Sequence, residues 1–157
     1  MEKILINSID EMKRLGNVIG KSLVGGETIC LRGDLGAGKT HLTQFIGEGM
    51  GIDDYITSPT FALLNIYDGK INLNHFDTYR LEGEEDFQRL GFEDYLFSND
   101  VNIIEWPDTI YELLPEEPLN IDIKKGEGEI RIININTNNE KKYKYILESI
   151  ANESFRD

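Results

Sequence analysis

The chain has 157 residues, of which 39% are hydrophobic, and its formal net charge is −13. This length suits one domain with a sizeable core, so we expect residues 1–157 to form a single unit. Such an acidic surface would repel phosphate backbones and anionic lipids, which argues against direct binding of nucleic acid or membranes by the bulk of the protein.

The cysteine content and the apolar runs indicate the compartment. Cys30 is the only cysteine, so no disulfide can form within the chain, which fits a reducing environment. Residues 1–20 lack the apolar core of a signal peptide, and no apolar run approaches the length that spans a bilayer. We therefore expect a cytoplasmic protein with no membrane partner, and a packing role for Cys30.

The first fifty residues predict a strand, a helix, a second strand and a second helix. Residues 3–6 are typical of a short strand, and Ser8 followed by Glu11 is the pattern of a helix N-terminus. Residues 28–31 are typical of a buried parallel strand, because apolar and β-branched side chains follow one another without alternation. Residues 41–50 then carry apolar side chains at helical spacing.

Between the second strand and the second helix lies the sequence Gly-Asp-Leu-Gly-Ala-Gly-Lys-Thr, residues 33–40. It matches the phosphate-binding loop, in which glycines let backbone N–H groups converge and the following helix adds the positive end of its dipole. In this motif Lys39 reaches the terminal phosphates and the Thr40 hydroxyl holds Mg²⁺. The predicted nucleotide-binding residues of the loop are Gly33, Leu35, Gly36, Ala37, Gly38, Lys39 and Thr40.

The rest of the chain predicts two hairpins, short helices and one more central strand. Asp68-Gly69 is a strong turn signal between strand-like runs at 61–67 and 71–76, and a second pair of alternating runs flanks residues 125–128. The further predicted elements are a helix at 84–96, a strand at 101–106, a helical turn at 108–114, and a docked or fraying peripheral helix within 138–157. The expected fold is therefore α/β, a P-loop NTPase fold with a mostly parallel central sheet, antiparallel hairpins and flanking helices.

Hydrolysis of a bound nucleotide requires a carboxylate near Mg²⁺ and a group that orients the attacking water. Glu105 and Asp77 each end a predicted strand. The carboxyl ends of parallel strands border the ligand crevice of open α/β sheets, so both residues are catalytic candidates and Glu105 is a candidate metal ligand. The alternatives are a solvated strand-end acid for Glu105 and a turn aspartate that caps its own backbone for Asp77.

Four other residues carry weaker signals. A hydroxyl of Thr60 or Ser58 could sense the terminal phosphate, as switch loops do, or could simply cap the next turn. Arg131, in an alternating run, could face solvent, stack on an adenine ring or reach a phosphate. His75 is expected to be packed in the core rather than catalytic.

Four segments occur in one order: the loop at 33–40, Ser-Pro-Thr-Phe at 58–61, His-Phe-Asp-Thr-Tyr-Arg at 75–80 and Glu-Trp-Pro at 105–107. Together they resemble the TsaE family (older name YjeE), small bacterial ATPases of tRNA threonylcarbamoyladenosine synthesis. The resemblance covers roughly residues 5–135, and the tail after residue 138 matches no pattern of the family.

The resemblance implies a P-loop α/β fold that binds ATP or ADP with Mg²⁺ and hydrolyses ATP slowly when alone. It also implies two partner proteins, TsaB and TsaD, of which TsaD transfers the threonylcarbamoyl group to the adenosine beside the anticodon. The ATPase would reset this complex between turnovers. Contact with tRNA would be indirect, through the complex, which agrees with the acidic surface.

The resemblance also assigns roles to residues. Lys39 would neutralise the β- and γ-phosphates, Thr40 and Glu105 would hold Mg²⁺, and Asp77 would be the catalytic acid near the γ-phosphate. The other implied positions are Thr60 in a switch-like loop, Trp106 beside the site, Arg131 near the nucleotide, and Ser8 or Ile9 at the adenine.

Two other functions use the same loop. A small-molecule phosphotransferase commonly carries an arginine-rich lid, whereas residues 82–117 contain only Arg89, which counts against that function. The second is a nucleotide-gated binding module, in which hydrolysis is incidental. No sequence feature distinguishes it from the ATPase, since both use the same loop.

Overall fold

The computed structural model describes residues 2–59 and 62–153 of the chain. The strands are β1 (Glu2–Ile6), β2 (Thr28–Gly33), β3 (Leu64–Tyr67), β4 (Leu73–Asp77), β5 (Val101–Glu105), β6 (Leu119–Lys125) and β7 (Arg131–Thr137). The helices are α1 (Ile9–Ser22), α2 (Lys39–Gly49), α3 (Glu84–Arg89), α4 (Glu93–Leu96) and α5 (Glu140–Ala151), with a 3₁₀ helix at Pro107–Leu113.

A seven-stranded sheet in the order β1-β7-β6-β2-β5-β4-β3 organises the fold. Its centre is parallel, since β2 lies between β6 and β5 and β5 pairs with β4 in the same direction. Both edges are antiparallel, and they include the two predicted hairpins, β3–β4 and β6–β7. The predicted α/β fold, with a mostly parallel centre and antiparallel hairpins, is confirmed.

Alternating side chains of the central strands feed two hydrophobic cores, one on each face of the sheet. Ile29 and Leu31 of β2 join the larger core with α1, α2 and α5, whereas Cys30 joins the smaller core. In β5, Ile103 lies in the larger core and Ile104 in the smaller core. Because both faces are covered, these strands read as continuous apolar runs in the sequence.

Helices α1 and α2 cross at close range. The predicted N-terminus of α1 is confirmed, because the Ser8 side chain accepts a hydrogen bond from Glu11 N at 3.2 Å. At the crossing, a Cβ placed on Gly20 would lie 2.1 Å from Ile46 O. The absence of a side chain at Gly20 therefore lets α1 approach the backbone of the helix that begins at the phosphate-binding loop.

The tail helix α5 is docked rather than frayed. Tyr143, Ile146 and Ile150 are buried in the larger core. The Tyr143 hydroxyl accepts a hydrogen bond from Thr28 N at 3.0 Å and donates to Thr28 O at 3.1 Å. The tail thus supports the start of β2, the strand that leads into the loop.

Two predicted elements differ from the structure by more than one or two residues at an end. The strand expected at 61–67 begins at Leu64, because Leu63 has a φ of 67° and this left-handed conformation interrupts the extended chain; Phe61 lies outside the described residues. The helix expected at 84–96 is divided into α3 and α4 near Gly91, where φ is 73°. None of the described helices is long and apolar enough to cross a bilayer.

Candidate functional site

The phosphate-binding loop, residues 33–40, joins the end of β2 to the start of α2. Gly36 and Gly38 have φ values of 79° and 112°, which side chains other than glycine rarely adopt. Gly38 is the residue that caps α2, so the loop ends where the first N–H groups of that helix have no partner within it. This turn and the positive end of the helix dipole form a cradle suited to an anion such as a phosphate.

Lys39 is the first residue of α2 and is almost fully buried. Its ammonium group donates to Gly33 O and, at 3.2 Å, to Asp34 O within the loop. Burial lowers the pKa of Lys39, while the nearby carboxylates of Glu105 and Asp77 act in the opposite direction. The Lys39 side chain is therefore enclosed by the loop and lies near two acidic side chains.

Thr40 and Glu105 bring α2 and β5 together at the cleft. Thr40 Oγ1 lies 3.4 Å from Glu105 Oε2, and Glu105 is buried at the carboxyl end of β5. Oxygen atoms are the ligands that Mg²⁺ prefers, and it commonly takes one or two protein oxygens together with phosphate oxygens and water. Among the described residues no three His, Cys, Asp or Glu side chains form a group that could hold a metal ion. Thr40 and Glu105 together present two oxygen atoms of the kind that Mg²⁺ prefers.

Asp77 ends β4 and is register-paired with Glu105 on β5. Its Oδ1 accepts a hydrogen bond from Tyr79 N at 3.0 Å, and its Oδ2 lies 3.5 Å from Ser58 Oγ. Burial raises the pKa of Asp77 above its usual value, the Tyr79 hydrogen bond opposes this, and Glu105 adds to the rise. Asp77 therefore caps the backbone of its own turn, which was one of the alternatives from the sequence. Its side chain also lines the cleft over the loop.

Trp106 follows Glu105 in a left-handed conformation, with a φ of 58°. Its ring centroid lies 4.2 Å from Lys39 Nζ and 4.8 Å from the Tyr79 ring. The Thr78 hydroxyl donates to Trp106 O, and Thr78 N donates to Glu105 O at 3.1 Å. These contacts link the ends of β4 and β5 beside the loop.

A cleft of about 570 Å³ lies over the loop. The predicted site residues that line it are Leu35, Gly36, Gly38, Lys39, Thr40, Asp77, Glu105 and Trp106. Ser58 and Arg80 also line it, so a described residue from each of the second and third segments of the resemblance reaches this cleft. Thr60, which we predicted as a switch-like hydroxyl, lies outside the described residues.

A smaller cavity of about 160 Å³ lies on the other side of the loop. It is lined by Ser8, Ile9 and Met12 from the N-terminal segment and by Ala37 and Arg131. Arg131 is the residue that joins this cavity to the loop, because its Nε donates to Ala37 O at 2.9 Å. Its Nη1 donates to Gly128 O at 2.8 Å, so the guanidinium group is held by backbone carbonyls.

The contact of His75 with Glu105 was not predicted from the sequence. We predicted a packed residue, and its side chain is indeed buried, but His75 Nε2 lies 2.5 Å from Glu105 Oε2. The signal was present in the sequence, because His75 and Asp77 are two residues apart on one strand and their side chains share a face. His75 and Asp77 therefore both lie next to the Glu105 carboxylate.

Comparisons with known proteins agree with this geometry. The family described as "Threonylcarbamoyl adenosine biosynthesis protein TsaE" matches residues 6–133. The tRNA threonylcarbamoyladenosine biosynthesis protein TsaE of Treponema pallidum is 38% identical over 128 residues, which cover 80% of this chain and 95% of that protein. The Bacillus subtilis protein of the same name is 38% identical over 125 residues, which cover 79% of this chain and 78% of that protein.

A solved structure supports the same relationship. The crystal structure of Bacillus subtilis YdiB superposes with a TM-score of 0.77 and 32% sequence identity, covering 96% of this chain and 93% of that one. Family match, relatives and fold agree with the resemblance that the four sequence segments indicated. The chain belongs to the TsaE family.

Proposed function

We propose that this protein is a cytoplasmic, Mg²⁺-dependent ATPase that serves tRNA threonylcarbamoyladenosine biosynthesis by cycling a complex of TsaB and TsaD. The observation that carries the ATPase proposal is the contact of Thr40 Oγ1 with Glu105 Oε2, 3.4 Å apart, in the cleft that Lys39 and Asp77 also line. The tRNA pathway is supported by the names of the relatives.

The loop would bind the phosphates. Backbone N–H groups from residues 36–40 and the dipole of α2 supply a fixed positive field, and Lys39 supplies a charge that must leave the carbonyls of Gly33 and Asp34 to meet a phosphate oxygen. The smaller cavity beside Ala37 has the position and the apolar lining, Ile9 and Met12 among it, to receive the base. Adenine as the base follows from the family resemblance, and the lack of an Asn/Thr-Lys-x-Asp element that reads guanine supports it.

Thr40 and Glu105 would hold Mg²⁺, which when bound neutralises the charge that develops on the phosphate oxygens. Asp77 would orient the attacking water, since it lies beside Glu105 and lines the same cleft. Its hydrogen bond from Tyr79 N fixes the carboxyl group in place. The family resemblance implies slow hydrolysis by the protein alone and stimulation by partners, and we expect both here.

The Asp77→Asn variant tests the chemistry. Loss of the carboxylate should reduce ATP hydrolysis by roughly 10²-fold or more while ATP affinity stays within a few-fold of the parent. The matched control is Asp68→Asn, in the exposed turn at the far end of the β3–β4 hairpin. Hydrolysis at the parent rate in Asp77→Asn would leave Asp77 as a turn-capping residue and overturn its proposed role.

The pathway role needs a separate experiment. Purified TsaB and TsaD are mixed with the protein in the presence of ATP, of ADP and of no nucleotide, and complex formation is measured by size-exclusion chromatography. We expect a complex whose stability depends on the nucleotide. No complex in any of the three states would overturn the role with TsaB and TsaD, and ATP consumption without an added acceptor would argue against a small-molecule phosphotransferase.

A further inference from the structure

His75 and Glu105 form a buried pair behind the candidate metal site. His75 Nε2 lies 2.5 Å from Glu105 Oε2, and the two side chains are 0% and 5% exposed. The same oxygen lies 3.4 Å from Thr40 Oγ1. One carboxylate oxygen therefore faces both the histidine of β4 and the hydroxyl at the start of α2.

The sheet fixes the histidine more firmly than a loop could. His75 is register-paired with Ile103 on β5 and with Asn65 on β3, so its backbone is held on both sides. A carboxylate only accepts hydrogen bonds, so His75 Nε2 is the donor in this contact. The direction of the Glu105 side chain is thus set by a group that has little freedom to move.

The other ring nitrogen of His75, Nδ1, indicates why a histidine stands here: the hydrogen bond from Nε2 to Glu105 is the polar interaction of its side chain. His75 Nδ1 is buried and has no hydrogen-bond partner among the described residues. An unpartnered buried polar atom is destabilising, and an apolar side chain of similar size would fill the same space without that cost. Filling the core therefore does not account for a histidine at this position, whereas orienting Glu105 does.

We propose that His75 is a positioning residue that holds Glu105 towards Thr40, so that the two oxygens can bind Mg²⁺ together. The inference rests on the proposed function, because it concerns the Mg²⁺ site of the ATPase. His75 is not among the residues that line the cleft, so it would act on the metal site through Glu105. Groups that orient a metal ligand from behind typically change metal affinity by about 10–100-fold when they are removed.

Two variants of similar polarity separate this role from a structural one. In His75→Gln the side-chain amide nitrogen can reach the place of Nε2, whereas in His75→Asn the shorter side chain reaches only the place of Nδ1. Both variants leave the phosphate-binding loop untouched. If the residue only filled the core, the two variants would lose function in proportion to their loss of thermal stability.

The measurement is the affinity for ADP by titration calorimetry, in excess EDTA and over a series of Mg²⁺ concentrations, together with ATP hydrolysis over the same series. In EDTA we expect both variants to bind ADP within about twofold of the parent. In the Mg²⁺ series, we expect His75→Asn to need about 10-fold more Mg²⁺ than the parent to reach half of the maximal change in ADP affinity and half of the maximal hydrolysis rate. His75→Gln should need the same Mg²⁺ concentration as the parent. If His75→Asn does not bind ADP in EDTA, His75→Phe, which fills the ring volume without a donor, replaces it.

The outcomes separate the two proposals. If ADP binding by the parent depends on Mg²⁺ and His75→Asn shows the same dependence, the role of His75 is overturned. The ATPase proposal is then unaffected. Equal losses in His75→Asn and His75→Gln that follow their melting temperatures would also overturn it. A parent protein that binds no ADP, or whose binding ignores Mg²⁺, would overturn the proposed function and the inference with it.

A double-variant cycle gives an independent check. In the Glu105→Ala background the carboxylate that His75 orients is absent, so adding His75→Asn should change the Mg²⁺ response no further. If the double variant needs a further 10-fold more Mg²⁺ than Glu105→Ala, His75 does not act through Glu105.

Discussion

The ammonium group of Lys39 lies 4.2 Å from the centroid of the Trp106 ring, so the phosphate-binding lysine and the aromatic residue at the end of β5 are in cation–π contact. The same ammonium donates to carbonyls of the loop. Such a contact contributes on the order of 1 kcal/mol, which a phosphate dianion can exceed. Nucleotide binding should therefore draw Lys39 away from the ring.

This contact predicts an optical signal. Trp106 is the only tryptophan in the chain, so the tryptophan emission of the protein reports on this ring alone. Addition of ADP should change the intensity or the wavelength of that emission. In Lys39→Ala the emission without nucleotide should already differ from the parent, and ADP should change it little; binding seen by calorimetry with no change of emission in the parent would contradict this account.

A second prediction concerns Arg131, which holds the loop from β7. Its Nε donates to Ala37 O at 2.9 Å, and lysine cannot reproduce that planar donor. Arg131→Lys, which keeps the charge, should weaken ATP binding by roughly 10-fold, on the scale of about 1.4 kcal/mol for one charge-assisted hydrogen bond. The control is Lys3→Ala on the neighbouring edge strand, which removes an exposed charge and should leave the affinity unchanged. An Arg131→Lys variant with parent affinity would show that the charge alone matters.

A third prediction uses the crossing of α1 and α2. Alanine in a helix interior is usually more favourable than glycine by about 0.5–1 kcal/mol, so Gly20→Ala would stabilise an open position. Here the new Cβ would lie 2.1 Å from Ile46 O, and we expect destabilisation by roughly 2 kcal/mol or more in urea unfolding. Gly83→Ala is the control, since no atom lies within 4 Å of a Cβ at that glycine and its φ of −171° suits any residue. A stability for Gly20→Ala equal to or above the parent would mean that the helices are not this close.

A fourth prediction concerns Cys30 and pH. Burial raises the pKa of the Cys30 thiol from 9.0 to about 12. The folded protein should therefore resist a thiol reagent at pH 8, while the protein unfolded in guanidinium chloride should react at one thiol per chain. The folded state keeps its proton where the unfolded state loses it, so the free energy of unfolding should fall as pH rises from about 9 towards 12, by on the order of 1 kcal/mol per pH unit.

The Cys30→Ala variant isolates that dependence, because burial also raises the pKa of Tyr143 to about 12, in the same range. The slope of stability against pH should be less steep in Cys30→Ala than in the parent. Identical slopes in the two proteins would contradict the assignment to Cys30, and rapid modification of the folded parent at pH 8 would contradict its burial.

Much of the fold could be predicted because its signals are local. The glycine pattern of residues 33–40, the turn at Asp68-Gly69 and the apolar run at 28–31 each fix backbone geometry within a few residues. The strand-end positions of Asp77 and Glu105 followed from the same periodicity, and the structure places both at the carboxyl ends of β4 and β5. The order of the seven strands required contacts between distant residues, which no local pattern carries.

The parts of the site that were missed depend on side-chain direction across strands. The contact of His75 with Glu105 joins residues thirty positions apart and is decided by the register of β4 on β5. The contact of the Arg131 side chain depends on where the β6–β7 hairpin meets the loop. From the sequence, this side chain could contact solvent, adenine or phosphate, and in the structure it donates to the Ala37 carbonyl. The docking of α5 likewise depends on Tyr143 reaching the backbone of Thr28.

The central claim is that the loop at residues 33–40 binds the phosphates of ATP through Lys39, and one measurement tests it directly. ATP is titrated into the parent, into Lys39→Ala and into Lys70→Ala, an exposed lysine in the β3–β4 turn that removes the same charge away from the cleft. Calorimetry in the presence of Mg²⁺ should show binding weakened by at least about 10-fold in Lys39→Ala and unchanged in Lys70→Ala. Equal ATP affinity in all three proteins would contradict the account.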